Sequence, residues 1–134
     1  MAVLRSEQMP IHASEDIVRV RQTVRTWAVE LGFSLVDQTK LVTAASELAR
    51  NTLEYGGGGV LRLEQVNDHG RRGLRLAFAD QGPGIANVEQ ALRDGYTTGG
   101  GLGLGLSGAK RLSNEFTIET KVGEGTCVTI TRWK

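Results

Sequence analysis

The polar stretch at residues 67–73 constrains this chain more than any other segment. It separates two runs of alternating apolar residues, one opening with Leu61 and Leu63, the other holding Leu74, Leu76 and Phe78. Alternation of period two marks strands with one buried face. So short a connection folds the second strand back antiparallel to the first, because a parallel return needs a crossover of about a dozen residues or more. A repeating strand–helix–strand series is therefore excluded at the centre of the chain.

Two helical patterns precede that hairpin. Ser14 is expected as an N-cap, with Glu15 and Asp16 at the positive end of the helix dipole. Ile17, Val20, Val24, Ala28 and Leu31 follow at helical spacing, and Gly32 supplies the stop. The second helix is expected over residues 36–55, with Leu41, Ala44, Ala45, Leu48, Thr52 and Tyr55 as its buried stripe and the glycines at 56–59 ending it. A weak pattern at 3–12 suggests a first strand. A short helix near 88–93 and another over 106–112 are expected later. Phe116 with Ile118, and Val128 with Ile130, mark two closing strands joined at Gly123-Glu-Gly125. The expected fold is α+β: a two-layer sandwich with a mixed, mostly antiparallel sheet and helices on one face. With 134 residues the chain, 1–134, makes one domain.

Composition excludes several functions. A net charge of +1 gives no electrostatic case for nucleic acid or an anionic membrane. No long apolar run marks a signal peptide or membrane span, and the single Cys127 fits a reducing compartment, so a cytoplasmic protein is expected. His12 and His69 stand alone, without zinc-ligand spacing.

Three segments carry chemistry. In Glu47-Leu-Ala-Arg-Asn51 the first and last residues lie four apart and project from the same side of a helix. At roughly 100° per residue, Asn51 lies about 60° from Leu48, at the margin of the apolar stripe, and Glu47 about 40° further out. An amide oxygen there can join phosphates and waters around magnesium. A carboxylate one turn away can take a proton from an attacking hydroxyl. An ordinary amphipathic helix edge would carry the same residues. In Asp80-Gln-Gly82-Pro-Gly84 a carboxylate closes an apolar strand, placed to accept from an exocyclic amine. Gly82 and Gly84 would bare the backbone for a planar base, although Asp, Gly and Pro also make simple turns. Gly99-Gly100-Gly101-Leu-Gly103-Leu-Gly105 is glycine-dense but interleaved with leucines, unlike a flexible linker. Its N–H groups could wrap phosphates, with the helix from Leu106 behind them, as a mobile lid.

Rival motifs fail. The stretch Gly103-Leu-Gly105-Leu-Ser-Gly108 matches G-x-G-x-x-G but follows no strand, and Gly108-Ala-Lys110 runs on to Arg111 where a P-loop needs Ser or Thr. A conventional protein-kinase fold needs a longer chain and a His-Arg-Asp loop.

Together the three segments resemble the N, G1 and G2 boxes of the GHKL ATPase superfamily, the Bergerat fold, over about residues 40–130. Ser46-Glu-Leu-Ala-Arg-Asn51, Asp80-Gln-Gly-Pro-Gly-Ile85 and Gly99–Leu106, with Ile17-Val-Arg-Val-Arg-Gln22 and Glu30-Leu-Gly-Phe33, resemble the RsbT-type serine/threonine switch kinases of the stressosome. The resemblance implies ATP and Mg2+ as cofactors. It implies Asn51 as magnesium ligand, Glu47 as general base and Asp80 on the adenine amine. Gly82 and Gly84 would shape the base pocket, Gly99, Gly100, Gly101, Gly103, Gly105 and Leu106 the lid, and the Thr126 hydroxyl would assist adenine binding. The implied reaction moves the γ-phosphoryl group of ATP to a serine or threonine of STAS-domain antagonist or scaffold proteins. The implied switch releases the kinase to activate a PP2C-type phosphatase. The alternative within the family is an anti-sigma factor that sequesters a sigma subunit.

Overall fold

Only His69 and Gly70 separate strand β2 (Gly59–Asp68) from strand β3 (Arg71–Asp80) in the computed structural model, which describes residues 1–93 and 105–134. The expected turn at 67–73 is thus too long. Asn67, Asp68, Arg71 and Arg72 are polar strand residues, paired Asn67 with Arg72 and Asp68 with Arg71. His69 and Gly70 both take positive φ, 54° and 84°, as tight two-residue hairpins require.

The remaining elements are β1 (Ala2–Ile11), α1 (Ser14–Leu31), α2 (Leu35–Glu54), α3 (Val88–Ala91), α4 (Gly105–Arg111), β4 (Glu115–Lys121) and β5 (Gly125–Trp133). The strands form one sheet in the order β1-β2-β3-β5-β4. Every pairing is antiparallel, in keeping with the mostly antiparallel sheet expected. Of the four pairings, β2/β3 and β4/β5 are hairpins. The long insertion between β3 and β5 carries α3, α4 and β4.

The inner face of the sheet is apolar by alternation. Leu61 faces Phe78 and Leu63 faces Leu76, while Val128 and Ile130 continue the row from β5. These residues share one buried cluster with Val20, Val24 and Ala28 of α1 and with Leu41, Ala44, Ala45 and Leu48 of α2. Val66 and Trp133 are buried outside that cluster. A Cβ on Gly73 would lie 2.7 Å from the Trp133 ring, and Arg71 stacks over that ring at 4.0 Å.

Helix ends follow local chemistry, with one correction. Ala13, not Ser14, is the N-cap of α1. The backbone N–H groups of His12 and Ala13 instead donate to Oδ2 of Asp16, at 2.8 and 3.1 Å. The His12 bond first, then the Arg19 guanidinium, holds the Asp16 carboxyl below the usual carboxylate range. Gly32 ends α1 at φ 91°, and Phe33 N–H reaches back to the Ala28 carbonyl. Ser34 caps α2 by accepting from Asp37 N–H at 3.2 Å.

Candidate functional site

A cavity of about 230 Å³ lies between the C-terminal end of α2 and the end of β3. From α2 come Asn51, Thr52 and Tyr55; from β3, Phe78 and Asp80. Ile85, Ala86 and Gln90 of the following segment, Leu106 of α4, and Thr126 and Val128 of β5 complete the wall. Most of these side chains are apolar, with a few polar groups between them, the usual make-up of a small-ligand pocket.

Asp80 is held from two sides. Its Oδ1 accepts from Gly82 N–H at 2.9 Å, while Oδ2 has no hydrogen-bond partner among the described residues. A Cβ on Gly56 would overlap the Asp80 carboxyl, so the end of α2 packs directly on that side chain. The site therefore presents one carboxyl acceptor beside an apolar slot, the complement of an aromatic ring bearing an amine. Asn51 also lines the cavity, and its side-chain amide has no partner among the described residues.

Glu47 sits differently from its expected neighbour. It is only 7% exposed, and its Oε1 lies 3.6 Å from Nη1 of Arg50. It does not line the cavity, although Asn51, one turn on, does. The extra 40° around the helix separates the two.

Gly82 and Gly84 are not cavity residues either, and their reason for being glycine differs from the expected one. A Cβ at Gly82 would lie 2.7 Å from Gly56 Cα and 2.8 Å from its carbonyl oxygen. Gly84 has φ 74°, and a Cβ there would overlap the Lys121 carbonyl. Both permit backbone-on-backbone contact and so shape the wall from behind. Tyr55 Oη ties α2 to this loop by donating to the Gly84 carbonyl at 2.6 Å. Gly105, at φ 49°, begins α4 one residue earlier than expected, and it lines the cavity with Leu106. Gly99, Gly100, Gly101 and Gly103 lie outside the described residues.

Three groups escaped the sequence reading. Arg50 was legible as an i,i+3 partner of Glu47. Gln90 and Thr120 were not, since only tertiary contact brings them to the site. Thr126, 8% exposed, shares a 2.8 Å hydrogen bond with Thr120. Among the described residues no group of three or more His, Cys, Asp or Glu could hold a metal ion. A cation here would depend on ligands arriving with the nucleotide, which suits magnesium and a single amide oxygen from Asn51.

Comparison with known proteins agrees with this geometry. Residues 36–134 match the family described as histidine kinase-, DNA gyrase B-, and HSP90-like ATPase. The chain is 49% identical to serine/threonine-protein kinase RsbT of Bacillus subtilis over 118 residues, covering 88% of this chain and 89% of that one. It is 27% identical to the anti-sigma F factor of a Geobacillus species, covering 84% and 81%. A crystal structure of the RsbU and RsbW domains of a Mycobacterium tuberculosis protein shares the fold with TM-score 0.67 at 22% identity, over 97% of this chain and 33% of that one. No helix among the described residues is long and apolar enough to cross a membrane. The chain belongs to the histidine kinase-, DNA gyrase B- and HSP90-like ATPase family and, within it, to the ATP-dependent RsbT-type serine/threonine protein kinases.

Proposed function

We propose that this kinase transfers the γ-phosphoryl group of ATP to a serine or threonine on STAS-domain antagonist and scaffold proteins, and that after release it activates a PP2C-type phosphatase. The observation that carries the nucleotide site is the placing of two polar side chains with atoms left to bond a ligand, Asp80 through Oδ2 and Asn51 through its amide, on two walls of one apolar cavity. Asp80 accepts from the adenine amine and Asn51 lends its amide oxygen to magnesium. Thr126 and the wall residues Phe78, Ile85 and Leu106 seat the base. Bound Mg-ATP supplies the transferable phosphoryl group and the cation that offsets phosphate charge.

Glu47 serves as general base toward the substrate hydroxyl. To do so its carboxylate turns from Arg50 toward the cavity, a side-chain rotation that substrate docking would favour. No nucleophile is needed from this chain, so catalysis rests on positioning. The kinase works in the cytoplasm with its partners.

The test is incubation with Mg-ATP and a cognate STAS protein, read as phosphoserine or phosphothreonine by mass spectrometry. Glu47→Gln should abolish transfer while ATP still binds. Absence of transfer to every cognate STAS protein would overturn the kinase assignment. A second reading, sequestration of a sigma subunit, has the support of anti-sigma F relatives at 27–30% identity. Stoichiometric capture of a sigma factor would favour it.

A further inference from the structure

Glu47 and Asp16 are both buried carboxyl groups, and they are held in opposite ways. Asp16 accepts from the backbone N–H groups of His12 and Ala13 and pairs with Arg19. Glu47 makes no hydrogen bond to any described residue, and its one charged partner among them is Arg50, at 3.6 Å. That separation is beyond hydrogen-bond range, so the attraction is Coulombic and fixes no geometry.

The direction of the pull sets its consequence. On α2, Arg50 follows Glu47 by three residues and Asn51 follows it by four. At roughly 100° per residue, Asn51 stands about 40° to one side of Glu47 and Arg50 about 60° to the other. Asn51 lines the cavity, whereas Glu47 and Arg50 do not. The guanidinium therefore draws the carboxyl away from the side on which bound phosphates would meet Asn51. The pair is also open at its outer end: the Arg50 side chain is 28% exposed against 9% for Glu47. A protein docking over α2 can reach Arg50 from solvent, and a helix-surface pair of this kind is weak enough to be exchanged for a new contact.

We infer that Arg50 is a positioning residue that parks Glu47 away from the nucleotide until an acceptor protein docks, and so makes the enzyme favour a protein hydroxyl over water. This inference rests on the reading of Glu47 as general base. While the carboxyl is parked, a water beside the γ-phosphoryl group has no base. A carboxyl free to turn inward takes a proton from that water as the water oxygen bonds to the γ-phosphorus. The bond from that phosphorus to the β,γ-bridging oxygen breaks, and ADP leaves with the electron pair. The products are ADP and inorganic phosphate, and the proton passes from Glu47 to solvent. The same steps with a serine or threonine hydroxyl give ADP and the phosphoprotein.

The experiment measures ADP and inorganic phosphate released from Mg-ATP by the full chain without a partner, beside phosphotransfer to a cognate STAS protein. Arg50→Met keeps the apolar stem and removes the charge. It should raise kcat for partner-free hydrolysis about two- to fivefold, the worth of releasing one weak ion pair, with KM for ATP unchanged. Arg50→Lys, which keeps the charge, should bring the rate back toward wild type. Adding Glu47→Gln to Arg50→Met should erase the rise. Partner-free hydrolysis by Arg50→Met no faster than wild type would overturn the inference, as would a rise that survives Glu47→Gln. Should the methionine variant fail to fold, Arg50→Gln makes the same comparison with the same outcomes. The reading of Glu47 as base fails separately, if Glu47→Gln still phosphorylates the STAS protein at the wild-type rate.

Discussion

Replacing Arg132 with methionine tests how the C-terminal strand holds α4, and with it the Leu106 wall, in place. Arg132 Nη1 donates to the Leu112 carbonyl just past α4 at 2.8 Å, and Nη2 donates to Oδ1 of Asp37 in the first turn of α2 at 2.7 Å. Methionine keeps the apolar stem and removes both bonds. Each charge-assisted bond is worth about 1.5–3 kcal/mol when buried. The Asp37 side chain is 34% exposed, so solvent screens its share. Arg132 Nε is buried without a partner, and its removal returns about 1 kcal/mol. The net loss is about 2 kcal/mol, which over 134 residues lowers Tm by about 7 °C.

The pH dependence checks the cause. The hydrogen bond from Arg132, more than any other contact, holds the Asp37 carboxyl below its usual value of 3.8. A depressed carboxyl contributes stability that is full above the unfolded pKa and is lost as pH falls through the folded one. The gap between wild type and variant should therefore be widest near neutral pH and shrink below about pH 4. Denaturant unfolding at a series of pH values measures it. A Tm drop under about 2 °C, or a gap that stays constant down to pH 3, would refute the reasoning.

Other expectations are briefer. Asp80→Asn should weaken ATP binding by about ten- to a hundredfold, since the amide turns a charged acceptor into a mixed donor and acceptor; calorimetric affinity equal to wild type would count against the adenine assignment. Gly84→Ala should destabilise by about 2 kcal/mol or more, because the new Cβ meets the Lys121 carbonyl at a left-handed φ; unfolding within about 0.5 kcal/mol of wild type would exclude that contact. Asp16→Asn should lower stability at neutral pH and flatten the loss below pH 4, as its depressed carboxyl no longer titrates; an acid limb as steep as wild type would show that other carboxyls set it.

The helices and the sheet core were legible because their apolar residues repeat at 3.6 and 2. Leu41, Ala44, Ala45, Leu48 and Thr52 are all buried as the stripe requires, while Tyr55 at its end is only half-buried. The hairpin turn was overestimated because strand residues that face solvent look like turn residues: Arg71, Arg72 and Asn67 are polar and still paired. The cap of α1 was misplaced because a carboxylate three residues inside the helix does the work expected of a hydroxyl at its start. In the site, Asn51, Asp80 and Thr126 stand on the cavity wall, where motif order pointed. Glu47 stands beside it against Arg50. Gly82 and Gly84 stand where backbone meets backbone behind the cavity wall. A sequence shows that a side chain is missing, and only the fold shows which backbone fills the space. Thr120 left no signal, since it reaches Thr126 as a register partner across a hairpin.

The contact of Gly56 with Gly82 couples two distant codons. A Cβ on Gly82 would meet the Gly56 backbone and one on Gly56 would meet the Asp80 side chain, so either must pry the end of α2 from the end of β3 and the turn after it. Once one substitution has opened that gap, a second meets less resistance, so the pair should be epistatic: the double alanine variant costs less than its singles combined. A deep mutational scan would then record each glycine as indispensable on its own while the two together drift as one heritable unit.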